Sequence, residues 1–233
     1  MTLEPQSIPE LLRQRAAAAP DKQFLFSEAD KRRYTYTEFE ATVRRVAGML
    51  ATHGVRKGDV VSLLLPNSVE YVIAYFACWH LGALAGPINS LLKAEEIDYV
   101  ISNSEAKVLL VNSDFVTRVE SKDVEIIVFD TVEGIREKAV EETRIDKNDE
   151  AIIIYTSGTT GRSKGAMVTH RNLESNARTL IAYWDFSERD VLLHALPIFH
   201  VHGLFVANHC ALLSGARLLW HRKFDPKLVL RDL

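Results

Sequence analysis

Cysteine is scarce. The 233 residues contain two, Cys78 and Cys210, and no CxxC pair. A disulfide scaffold needs more, so two isolated cysteines in apolar surroundings read as reduced core residues of a cytosolic protein. A cytoplasmic location is the expectation. An excess of one charge is lacking too: 28 Lys and Arg against 31 Asp and Glu leave a net −3. Nothing in that balance draws nucleic acid or an anionic membrane, so neither is an expected partner. Hydrophobic residues at 47% and charged residues at 25% exclude disorder, collagen and coiled coil and fit a globular domain with a sizeable core. The start, Met1-Thr-Leu-Glu-Pro-Gln-Ser7, has no basic segment followed by an apolar one, so no secretory signal is expected.

Charge is also absent from two long stretches, Tyr71 to Leu92 and Val191 to Ala216, each long enough to span a bilayer. The first carries His80, Gly82, Gly86, Pro87 and Asn89. The second carries His194, Pro197, His200, His202, Asn208 and His209. Polar groups and helix breakers in that number are costly in lipid. Strands and helices buried inside a soluble domain are the better reading, with no transmembrane segment.

What remains is an alternation of helical and strand patterns. Residues 7–19 predict a helix stopped by Pro20, and residues 23–27 and 33–36 a hairpin. Thr37 and Glu40 have capping-box spacing, and Phe39, Val43, Val46, Ala47 and Leu50 then recur at helical intervals up to Gly54. Short strands are expected at 60–65, 84–88, 107–111, 125–129 and 151–155, with helices after Asn67, over 93–103 and over 115–121. Strands separated by helices imply βαβ units, hence an α/β fold with layered, mainly parallel sheets and flanking helices. Residues 130–150 are dense in charge and read as a surface helix and linker. They would divide a first α/β subdomain (1–129) from the start of a second (151–233). Asp225 and Pro226 open a last helix as N-cap and first residue.

One segment carries chemistry. The apolar run Ile152-Ile-Ile-Tyr155 leads straight into Thr156-Ser157-Gly158-Thr159-Thr160-Gly161-Arg162-Ser163-Lys164-Gly165. Small residues let backbone N–H groups approach an anion, hydroxyls add donors, and Lys164 adds a point charge. A polyphosphate suits that set. A Walker A loop does not: it needs four residues between its glycines and Lys directly after, whereas two separate Gly158 from Gly161 and Lys164 comes three later. The plain alternative is a polar turn between a strand and the helix pattern that starts near Asn172.

This segment resembles the phosphate-binding loop of the adenylate-forming superfamily, which includes acyl-CoA synthetases, luciferases and peptide-synthetase adenylation domains. The pattern Tyr-Thr-Ser-Gly-Thr-Thr-Gly-x-Pro-Lys-Gly is matched throughout except that Ser163 stands where proline is usual. Leu196-Pro-Ile-Phe-His200-Val-His202-Gly203-Leu204 resembles the family's acyl-pocket segment. Tyr34 to Glu38, Gly54 to Asp59, Pro66-Asn67-Ser and Gly82 to Asn89 extend the likeness to the family's N-terminal domain over nearly the whole chain. Within the superfamily, Gly161 to Met167 and Ala195 to Phe205 look most like malonyl-CoA synthetases.

The resemblance implies an acid-CoA ligase using ATP, Mg2+ and coenzyme A, with a small carboxylic acid such as malonate as substrate. It implies that Thr156, Ser157, Gly158, Thr159, Thr160, Gly161, Lys164 and Gly165 bind ATP phosphates, and that Thr156 touches the magnesium ion. His200 would act on the substrate carboxylate, because imidazole can donate to a developing anion near neutral pH. His202 and Gly203 would line the substrate site, although for His202 a packing role stays open. A metal pair at His200 and His202 is disfavoured because no third ligand of suitable spacing stands out. Other acids, fatty or aryl, remain alternatives. The family's Tyr-Gly-x-Thr-Glu adenine segment, its ribose-binding Asp and its C-terminal lysine domain do not occur in this sequence. The expectation is therefore the front part of a longer ligase, inactive by itself; a truncated non-catalytic protein with residual nucleotide binding is the alternative of another class.

Overall fold

The computed structural model describes residues 7–138, 140, 143–156 and 162–233. They fall into two compact units. One holds the chain up to Thr42, Asn67–Val69 and His170–Leu233. The other holds Val43–Pro66 and Glu70–Thr169. The compact units therefore do not part at residues 130–150, where charge density alone suggests a division. Strand Glu150–Thr156 belongs to the same sheet as the strands before it.

In the Val43–Thr169 unit a six-stranded sheet is built from β3 (Val60–Leu64), β4 (Leu84–Pro87), β5 (Val108–Val111), β6 (Glu125–Val128), β7 (Glu150–Thr156) and β8 (Lys164–Thr169). The order is β6-β5-β3-β4-β7-β8, parallel except for the last pair. Continuous apolar runs such as Val-Leu-Leu-Val in β5 suit strands covered on both faces. Helix α3 (Val69–His80) carries no charged residue after Glu70, and Tyr71 to Trp79 are all buried. Trp79 Nε1 donates to the Ala151 carbonyl at 2.7 Å, which joins α3 to β7. Helix α4 (Ala94–Asn103) lays Ile97, Val100 and Ile101 on Leu64, Leu109 and Val111.

The other unit carries α1 (Ile8–Ala18), β1 (Gln23–Ser27), β2 (Arg33–Thr35), α5 (His170–Trp184), β9 (Val191–His194), α6 (Asn208–Ser214), β10 (Arg217–Trp220) and α7 (Pro226–Asp232). Its four strands run β2-β1-β10-β9, with β1 and β2 forming the expected antiparallel hairpin. Phe24 and Tyr36 rings pack 4.7 Å apart, and the buried Tyr36 hydroxyl donates to the Ala216 carbonyl at 2.8 Å. Asp225 caps α7, accepting from the Lys227 and Leu228 N–H groups.

Several expectations are corrected. Helix α2 (Tyr36–Thr52) begins earlier than the Thr37–Glu40 spacing implies. The capping box is Thr35 with Glu38: the Glu38 N–H donates to Thr35 Oγ1 at 3.1 Å, and the Thr35 N–H donates to Glu38 Oε2 at 2.8 Å. The helix expected over 115–121 is a 3-10 turn, Ser113–Arg118, because one short turn does not repay α-helix nucleation. Among the described residues of 130–150 there is no helix. Charge without apolar periodicity leaves a helix nothing to bury, and Gly134 adopts a positive φ of 78°. Strand β8 was not expected. Its Lys164 to Met167 side chains are exposed, so main-chain pairing with β7 defines it rather than a hydrophobic pattern. Cys78 and Cys210 are free and buried as expected, and burial pushes the Cys210 thiol up to about 11. Among the described residues no helix is long and apolar enough to cross a membrane.

Candidate functional site

Strands β7 and β8 pair antiparallel, and the glycine- and threonine-rich segment lies between them in the sequence. Thr156 pairs with Lys164 and Tyr155 with Gly165. Opposed residues of an antiparallel pair project to the same side. Thr156 and Lys164 therefore project from the same side of the pair at its last register position, and both are exposed. Lys164 and Gly165, expected in the loop, are the first two residues of β8. Ser157, Gly158, Thr159, Thr160 and Gly161 lie outside the described residues. Gly165 permits a close approach: a β-carbon there would come within 2.8 Å of Ile153 Cδ1.

The described ends of the loop fit an anion. A residue with a hydroxyl donor and one with an exposed ammonium are paired where the described strand pairing stops. A magnesium ion needs few protein ligands when substrate oxygens and water complete its octahedron, so one threonine hydroxyl is a suitable contribution. Among the described residues no three His, Cys, Asp or Glu side chains gather in a metal-binding group.

The histidine-rich segment is built differently. After β9, Leu196 to Phe199 make a tight turn held by Asn67. Asn67 Nδ2 donates to the Leu196 carbonyl at 2.7 Å, and its Oδ1 accepts the Ile198 N–H at 2.8 Å. His200 follows on the exposed side, its ring 4.4 Å from Phe199. Its carbonyl accepts the Leu204 N–H at 3.0 Å, which starts the next helix. That helix opens with a π-type turn, His202–Ala207, before α6. Widened turns of this kind recur at functional sites.

His202 is exposed, and its ring stacks at 6.3 Å and 22° on His194. His194 is buried against Trp220, ring to ring at 4.4 Å. Burial lowers its pKa to about 4, so it is neutral at ordinary pH. Gly203 is buried and closely packed: a β-carbon would lie 2.8 Å from Ile198 Cα and 3.0 Å from His194 Nε2. His200, His202 and Gly203 thus share one turn. Sequence reasoning missed the role of Asn67. The adjacency of Pro66, Asn67 and Ser68 hints at a structural asparagine, but its partners lie about 130 positions away.

A family model for AMP-binding enzymes matches residues 12–233. The chain belongs to that family. It is 34% identical over 231 residues to the long-chain-fatty-acid-CoA ligase FadD13 of Mycobacterium tuberculosis, covering 94% of this chain and 46% of that protein. It is 33% identical over 211 residues to human mitochondrial malonate-CoA ligase ACSF3, covering 84% of this chain and 37% of the relative. Among solved structures, a fatty acyl CoA synthetase of Mycobacterium tuberculosis superposes with a TM-score of 0.89 at 30% identity, covering 97% of this chain and 46% of that one. ATP-bound MatB from Rhodopseudomonas palustris superposes at 0.86 and 33% identity, covering 97% and 47%. The fold is that of the N-terminal domain of acyl-CoA synthetases. The chain spans about half the length of the curated relatives named here, or less.

Proposed function

We propose that this chain is the N-terminal part of an ATP-dependent acid-CoA ligase acting on malonate or a related short acid. The observation that carries the ligase reading is the pairing of Thr156 with Lys164 on either side of the Ser157–Gly161 segment, in a chain of the AMP-binding family. In the proposed reaction a carboxylate oxygen attacks the α-phosphorus of ATP and pyrophosphate leaves with the electron pair of the broken P–O bond. The CoA thiolate then attacks the acyl carbon of the mixed anhydride and AMP departs. Lys164 and the loop from Thr156 to Gly165 hold the β- and γ-phosphates and neutralise the charge that grows on the leaving pyrophosphate. The Thr156 hydroxyl would be one ligand of a magnesium ion, which would supply further charge neutralisation at the phosphates. His200, exposed beside Phe199, orients the carboxylate. His202 and Gly203 shape the same turn.

Malonate is favoured by the sequence around Gly161–Met167 and Ala195–Phe205. The competing reading is a fatty acid, favoured by the 34% identity to a long-chain-fatty-acid-CoA ligase. Acid-dependent ATP–pyrophosphate exchange by a longer protein containing these residues, over malonate, a fatty acid and an aryl acid, separates them. Exchange with malonate alone is the expected result; exchange with the fatty acid alone overturns the substrate assignment, and exchange with none of the three overturns the ligase reading in favour of a non-catalytic protein. Incubation of the 233-residue chain with ATP, CoA and malonate is expected to give no acyl-CoA. Robust thioester formation would sink the proposal that it needs further chain.

A further inference from the structure

Both stems of the glycine- and threonine-rich loop are tied to one helix, α4. Upstream, the Tyr155 hydroxyl donates to Asn103 Oδ1 at 2.8 Å. Downstream, the Tyr99 hydroxyl donates to the Ser163 carbonyl at 3.1 Å, and the Arg162 guanidinium lies over the Tyr99 ring, 5.1 Å from its centroid. The two tyrosine rings meet edge to face with centroids 6.4 Å apart. Tyr99 and Asn103 are four residues apart, hence on one face of the helix. The helix is a firm platform. Ile97, Val100 and Ile101 sit in the core, and Glu96 Oε2 accepts the Lys93 N–H at its start.

Ser163 stands where the family pattern has proline. A proline fixes its own φ and drives the residue before it into extended backbone. Serine does neither, so the Arg162–Ser163 stem has more conformations to lose. The same two residues border a cavity of about 540 Å³, which leaves them room to move.

We propose that Tyr99 is a positioning residue for the phosphate-binding loop: by holding the Ser163 carbonyl and bracing Arg162, it supplies the restriction that the missing proline would give. The inference rests on reading that loop as a phosphate site. It assigns Tyr99 no contact with a phosphate or a reacting atom.

The test is a double-variant cycle on the 233-residue chain: Tyr99→Phe, Ser163→Pro and the two together, with Mg-ATP titrated into each. Phenylalanine keeps the ring and removes only the hydroxyl. One lost hydrogen bond predicts binding weaker by about three- to tenfold in Tyr99→Phe. Adding Ser163→Pro is expected to recover most of that loss. An equal loss in both backgrounds, or no loss, overturns the proposal. A second readout needs no nucleotide: trypsin cleavage after Lys164 is faster in Tyr99→Phe and slowed again by Ser163→Pro. Cleavage after Lys164 at an unchanged rate in Tyr99→Phe also overturns it. If the wild-type chain binds no Mg-ATP, the phosphate-site reading fails, while the cleavage rates still decide the role of Tyr99.

Discussion

Gly203 sits so close to His194 that a β-carbon on it would lie 3.0 Å from the ring Nε2, with the Ile198 backbone nearer still at 2.8 Å. The turn carrying His200 and His202 is therefore seated directly on a buried, neutral imidazole. Gly203→Ala must displace backbone, and overpacking of that kind costs about 1–3 kcal/mol. Gly165→Ala meets the tip of the Ile153 side chain, which can rotate away, so its cost is smaller. Urea unfolding of the two variants checks the order; equal midpoints would contradict the packing argument.

Asn67 makes two side-chain bonds to one turn, to the Leu196 carbonyl and the Ile198 N–H. Each is worth about 0.5–1.5 kcal/mol net, so Asn67→Ala loses about 1–3 kcal/mol of stability. Asn67→Asp keeps the acceptor for Ile198 and drops the donor to Leu196. It is expected to fall between the wild type and Asn67→Ala in thermal unfolding. An aspartate as destabilising as alanine would mean that the bond to Ile198 contributes nothing.

Acid weakens the fold through buried histidines. Burial lowers the pKa of His194 from 6.5 to about 4 and that of His209 to about 3. In the unfolded chain both bind a proton below about pH 6.5; in the folded chain neither does until the lower values are reached. The unfolded state thus binds more protons across this window, and stability falls as pH drops through it. Between pH 6 and 5 each histidine removes up to about 1.4 kcal/mol per pH unit. Unfolding free energies at pH 7, 6 and 5 check this, and His209→Leu should flatten the slope. A slope unchanged by the substitution would contradict the assignment.

The sequence is most legible where burial and local periodicity coincide. Val60–Leu64, Leu84–Pro87 and Val108–Val111 are apolar runs of strand length, and each is a buried strand. Asp225 and Pro226 announce α7 by local chemistry alone. Strand β8 was illegible because Lys164-Gly-Ala-Met has no alternating pattern; its pairing partner, β7, decides its structure. The grouping of His170–Leu233 with the first residues of the chain was equally hidden, since β1 pairs with β10 across almost the whole sequence. For the candidate site, residue types and order singled out the segment between β7 and β8 and the turn carrying His200 as candidates. The supports of both, Asn67, His194 and Tyr99, are polar groups whose partners are set by tertiary contacts, and no local spacing marks them.

The most direct test of the phosphate-site reading is calorimetric titration of the 233-residue chain with Mg-ATP beside Lys164→Ala. Lys164 pairs with Thr156 where the described strand pairing stops, and a charged hydrogen bond to phosphate is worth about 1.5–3 kcal/mol. The expected result is saturable binding that Lys164→Ala weakens by about tenfold or more. Binding of equal affinity in the two chains, or no saturable binding in either, would contradict the account.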